Sequence, residues 1–116
     1  RSISEVYMHI VGGNSYIPGF LGVKPMAGLT RDSEKSVTDK AQVIELLKKS
    51  MAHAKSAVLA TPDADLDKKG KIFGGEEASE RAVIMSIGNH LQEHVGQSIA
   101  YARANGITPP WSKGGQ

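Results

Sequence analysis

The chain has 116 residues, no cysteine and a net charge of only +2. That length supports one domain with a single core, and the absence of thiols excludes disulfides, thiolate metal sites and a cysteine nucleophile. Apolar content of 40% and charged content of 22% are ordinary, and no apolar run approaches the roughly 20 residues of a bilayer span, so neither disorder nor a helical membrane protein is indicated.

The basic residues are scattered. Lys48-Lys49 and Lys68-Lys69-Gly70-Lys71 are the only clusters, and both have acidic neighbours. A nucleic-acid surface would show a basic stripe, and none is present; neither nucleic acid nor a membrane is an expected partner. The chain starts at Arg1 with no visible signal peptide, which favours a cytoplasmic protein only weakly.

The first element in chain order is a helix opened by Ser2-Ile3-Ser4-Glu5, a capping-box pattern. Its expected inner stripe is Val6, His9, Gly13, Tyr16 and Phe20, with Gly12-Gly13 permitting close approach of a neighbour and Pro18 kinking or ending it. Residues 22–37 turn to Gly, Pro, Lys and Ser without periodicity and read as a loop. A second helix opens at Thr38 or Asp39, where Asp39-Lys40-Ala41-Gln42 again fits a capping box. Ile44, Leu47, Met51, Ala54 and Val58 form its expected buried stripe, and Thr61-Pro62 closes it. Residues 63–78 are polar, with a short extended piece expected at Lys71-Ile72-Phe73. Ser79 or a near neighbour opens the last and longest helix. Its inner stripe runs Val83, Ile87, His90, His94, Gln97 and Tyr101, flanked by Ile84, Leu91, Val95, Ile99 and Ala102. Asn105-Gly106 signals a left-handed cap with Ile107 folding back in a Schellman arrangement, and Pro109-Pro110 prevents continuation. Three long helices joined by loops predict an all-α bundle.

Within that last helix His90 and His94 are four residues apart, just over one turn, so their rings share a face at about 5–6 Å between Cβ atoms. Both belong to an apolar stripe, where an unpartnered imidazole costs free energy. His9 lies in the apolar stripe of another helix and can complete a three-imidazole metal site; the alternative is three separately hydrogen-bonded core histidines. His53 competes as third ligand, but its position beside the main buried face suits a partly exposed structural histidine better. Three neutral imidazoles leave Zn²⁺ or Ni²⁺ an open position for a water acidified toward neutrality, or for an incoming thiol. His90-x-x-Glu93-His94 also matches the inverted zinc-peptidase motif with Glu93 as general base. That family needs a glutamate ligand downstream, and Glu93 is the last acidic residue, so a peptidase is not expected. Gln97, one turn past His94, could orient a ring or a bound water. Tyr101 fits core packing better than proton donation, and Arg81 and Arg103 receive no role.

The string His90-Leu-Gln-Glu-His94-Val-Gly-Gln97-Ser-Ile-Ala-Tyr101-Ala-Arg103-Ala-Asn105-Gly106-Ile-Thr-Pro-Pro110-Trp111 resembles the last helix of the DinB-like superfamily, damage-inducible metal-binding four-helix bundles. The segment from Ser2 to Ile10 is similar to that family's second helix, which supplies its first ligand. The resemblance implies an up-down-down-up bundle, a divalent metal (often nickel or zinc) on His9, His90 and His94, and a homodimer. For some relatives it implies thiol-dependent transferase or isomerase activity with a low-molecular-weight thiol. Against the family pattern the chain reads as N-terminally truncated, one helix short, with an apolar face left for association. The functional expectation is a metal-dependent transferase or hydrolase with Gln97, Glu93 and Tyr101 around the ligands; a non-catalytic metal-binding or stress-response protein is the alternative.

Overall fold

The computed structural model describes residues 1–112, which form a mainly helical fold with one small hairpin. Helix α1 (Ile3–Tyr16) starts as its cap predicts: the Glu5 amide donates to Ser2 Oγ and the Ser2 amide to the Glu5 carboxylate. Pro18 has no N–H to continue the ladder, and the chain tightens into a 3₁₀ turn over Ile17–Leu21. The stretch 22–37 is not wholly loop. It contains a single helical turn, α2 (Ser33–Ser36), before which the Ser33 hydroxyl accepts the Thr30 amide at 3.0 Å. Four residues are too few for a hydrophobic period to show in the sequence.

Helix α3 (Lys40–Ala60) is capped by Asp39, whose side chain accepts the Gln42 amide at 2.8 Å, and it ends at Thr61. Its buried stripe matches the expected one only in part: Ala54 is buried and Leu47 packs against the core, but the rest of the face is shifted. Val43, Ser50, Ala54 and Ala57 are buried, whereas Ile44 is 43% and Met51 46% exposed. The inner face is therefore rotated toward the smaller, more polar line of residues. Asn14 of α1 accounts for part of this: fully buried, it donates to Ser50 Oγ at 3.1 Å, and Ser50 in turn donates to the Leu47 carbonyl. A paired polar contact can occupy a helix seam that hydrophobicity alone would assign elsewhere.

A two-stranded antiparallel hairpin follows, β1 (Lys69–Lys71) with β2 (Glu77–Ser79), Gly70 facing Ala78. The expected extended piece at 71–73 thus lies two residues earlier, and Phe73 belongs to the turn. Ser79 ends β2 and caps helix α4 (Glu80–Ala104), accepting the Ala82 amide. At the far end Gly106 adopts a φ of 71°, its amide bonds the Arg103 carbonyl and Ile107 bonds the Ala102 carbonyl, a complete Schellman exit.

Helix α1 is the centre of the fold. It packs most extensively on α3 and more sparingly on α4, and α3 and α4 make little direct contact. The core is small, built on Met8, Val11 and Val43, with Tyr7, Leu29, Val37, Leu46 and Leu47 around it. Among the described residues, no helix is long and apolar enough to cross a membrane.

Candidate metal centre

The face of α1 turned to α4 carries His9 and Gly13, and the inner stripe of α4 answers with His90 and His94. The three rings converge. Their centroids are 5.1 Å apart for His9–His90, 5.0 Å for His9–His94 and 4.6 Å for His90–His94. One nitrogen from each lies within 4.8 Å of the others. His94 is buried, and His9 and His90 are half-buried. The helical spacing presents two of the rings; the α1–α4 packing alone brings the third.

Gly13 makes that packing possible. A Cβ at this position would stand 2.6 Å from His90 Nδ1, with another ring atom closer still. Only glycine leaves room for the ring to approach the α1 backbone this closely. At Gly12, by contrast, a Cβ would meet open space, so the expected close approach belongs to one glycine of the pair.

Two of the rings are oriented by partners that define their tautomers. His9 Nδ1 lies 2.9 Å from Glu34 Oε2. A carboxylate only accepts, so Nδ1 carries a proton, and the ring's other nitrogen, Nε2, is the one left to offer a lone pair in the neutral form. The Arg1 guanidinium also approaches Nδ1 at 3.4 Å, but a donating nitrogen cannot accept it, and Arg1 acts instead on Glu34 Oε1 at 2.6 Å. That guanidinium, with the His9 bond, holds the Glu34 carboxyl below the usual carboxylate range. His94 Nδ1 lies 2.8 Å from Gln97 Oε1, while Gln97 Nε2 donates to the Tyr101 hydroxyl at 3.0 Å. With its amide nitrogen committed to Tyr101, Gln97 presents oxygen to His94, and His94 Nε2 is left with a lone pair. A metal-binding histidine commonly has its second nitrogen held in this way.

His90 has no such partner. Its Nδ1 is buried and without a hydrogen bond, an uncompensated polar atom of the kind that folded proteins rarely leave. Burial, followed by the neighbouring His94 and His9, pushes its imidazole below the ordinary histidine value, so the ring is held neutral. Three imidazoles gathered in one small volume offer the nitrogen donors a divalent ion takes once they are deprotonated. Bonds of about 2.0–2.1 Å place ligand nitrogens roughly 3.3 Å apart in a tetrahedral site, so small ring movements would close the cluster on an ion.

The remaining sequence candidates divide. Gln97 and Tyr101 join the cluster as a relay behind His94. Glu93 is exposed and makes no hydrogen bond to the three rings. His53 is half-buried on α3 and is not in the cluster; its Nε2 is a second buried nitrogen without a partner. Glu34 and Arg1 were not singled out from the sequence. Glu34 stands on α2, 25 residues from the histidine it orients, and no local spacing links the two.

A cavity of about 800 Å³ opens beside the cluster, with His9, Glu34 and His90 in its wall. A smaller one of about 410 Å³ reaches His90 from the hairpin side. Comparison with protein-family models, with characterised proteins and with solved structures found no match to this chain.

Proposed function

We propose that this chain is a divalent-metal-binding helical protein of the DinB-like kind, with His9, His90 and His94 as ligands to zinc or nickel. The observation that carries the reading is the unpartnered, buried Nδ1 of His90 beside two imidazoles whose Nδ1 atoms are already held. The sequence His90-x-x-x-His94-x-Gly96-Gln97, running to the Asn105-Gly106 exit, supports the family assignment. A bound ion of this type would supply Lewis-acid activation of a substrate oxygen or of a low-molecular-weight thiol. The chain's own part is to orient: Glu34 fixes the His9 tautomer and Gln97 fixes that of His94, with the larger cavity opening beside them.

On this basis we assign a metal-dependent transferase or hydrolase. The second reading, a metal-binding or stress-response protein without catalysis, is favoured by Glu93, which is exposed and makes no hydrogen bond to the three rings. Metal analysis and zinc and nickel titration calorimetry test the site. Wild type should bind one equivalent, and His90→Ala should lose more than about 100-fold in affinity, exceeding the 10–100-fold typical when only an outer partner is lost. Unchanged binding in that variant would sink the metal reading. A competent site with no turnover on thiol-conjugation or ester substrates would select the second reading. The half-exposed Ile44 and Met51, seven residues apart on one side of α3, lead us to propose a homodimer as well. Gel filtration should give twice the chain mass, and a monomer that binds no apolar dye would refute it.

A further inference from the structure

The larger cavity has features that the three histidines do not explain. Its volume, about 800 Å³, is in the range of small-molecule pockets, and Met8, Tyr16, Ile17, Leu29 and Phe73 give it a mainly apolar wall. Most of its polar side chains are already engaged with other protein groups. His9 is bonded to Glu34, and Glu34 is also bonded to Arg1. Thr30 and Ser33 are bonded to each other, and the Tyr16 hydroxyl donates to the Leu29 carbonyl at 3.3 Å. Two lining groups are left over. One is His90, whose Nδ1 is unpartnered but buried and which the metal reading makes a ligand, so a cavity ligand would meet the ion held there and not that nitrogen. The other is Arg31, exposed at the cavity wall, with no acidic side chain in salt-bridge distance among the described residues.

The chemistry of the two differs, and so does what each selects. A guanidinium presents a planar fork of donors that matches a carboxylate. Glu34, the one acid in the wall, cannot serve Arg31 while it holds Arg1 and His9. We propose that this cavity binds a small organic carboxylate, its anionic end on Arg31, its apolar body along Met8, Leu29 and Phe73, and its far end presented to His90. The inference rests on the metal reading for what happens at that far end, and on Arg31 and the apolar wall for recognition. Neutral ligands of the same shape bind less tightly only by the ion pair they cannot form, because the exposed guanidinium keeps its water when they bind.

The probe is 6-mercaptohexanoate, a flexible chain with a thiol for the ion and a carboxylate for Arg31, compared with 6-mercaptohexanamide by calorimetry on the zinc-loaded protein. Zinc affinity is measured separately for wild type, Arg31→Gln and Arg31→Lys. Zinc affinity should be the same in all three. The carboxylate should bind wild type about two- to fivefold more tightly than Arg31→Gln, the loss expected for a solvent-exposed ion pair, with Arg31→Lys in between. The amide should bind wild type and Arg31→Gln alike. If zinc binds but the carboxylate shows no preference for wild type over Arg31→Gln, or the amide binds as well as the acid, the assignment of Arg31 is overturned and the metal centre stands. If zinc fails to bind wild type, the metal reading fails with the role proposed for the His90 end. The same comparison of hexanoate with hexanamide on metal-free wild type and Arg31→Gln then decides Arg31: no preference of wild type for the acid overturns it.

Discussion

Gly13 shows how much of the candidate centre depends on a missing side chain. The His90 ring rests where a Cβ would be, 2.6 Å from its Nδ1. Alanine is otherwise the better helix former by roughly 0.5–1 kcal/mol, so Gly13→Ala separates two effects. Helix content by circular dichroism should hold. Zinc affinity should fall by about tenfold, since the ring must leave its rotamer well, at about 0.5–1.5 kcal/mol, to bind. Unchanged affinity would mean that the cluster does not need the close α1–α4 approach. Glu34 and Gln97 do the complementary work at this scale, each removing one nitrogen from competition and leaving its neighbour free.

The helices are begun and ended by devices that act locally. Ser2 and Glu5 close the start of α1, Ser79 caps α4, and Gly106 turns the chain out of α4. Capping at Glu5 has a pH signature. Hydrogen bonds from Ser2, the backbone amide first, lower its carboxyl below the ordinary glutamate value in the folded chain. A group with a depressed folded value stabilises above its unfolded value and ceases to do so as pH falls through the folded one. Thermal melts of wild type and Glu5→Ala should therefore differ most near neutrality and converge in acid. A constant gap across the titration would show that the carboxylate plays no part in the cap. The face α3 buries depends in part on an interaction of another range, the contact of Asn14 with Ser50 between helices.

For the molecule as a whole, the sparse packing of α4 on α1 matters more than the larger α1–α3 seam. The three histidines bridge that weaker junction. An ion held by all three would tie α4 to the rest of the fold, and its binding energy adds directly to stability. At free zinc about 100 times the dissociation constant the gain is about 2.7 kcal/mol, or a rise in melting temperature on the order of 10 °C for a chain of this size. Chelation should reverse it. Hydrogen exchange should slow in α1 and α4 on adding zinc and change least in α3. No rise, or a rise that His90→Ala shares, would show that the cluster does not hold the ion.

Legibility followed the range of the interactions. The caps of all three long helices, the Schellman exit and the shared face of His90 and His94 could be read directly, because each depends on residues within about one turn. So could Gln97 beside His94, three residues on. The buried face of α3 is legible only in part: Leu47 and Ala54 lie inward as the hydrophobic period predicts, Ile44 and Met51 do not, and the seam instead holds Ser50, bonded to a buried asparagine of another helix. Helix α2 is too short to have a period, and Glu34, the residue that orients His9, is on it. The sequence by itself determined where the long helices start and stop and that one of them carries a histidine pair. Only tertiary structure decided that His9 meets the pair, that Gly13 makes room for it, and that Arg31 faces the same cavity, because those contacts join segments with no sequence spacing to connect them.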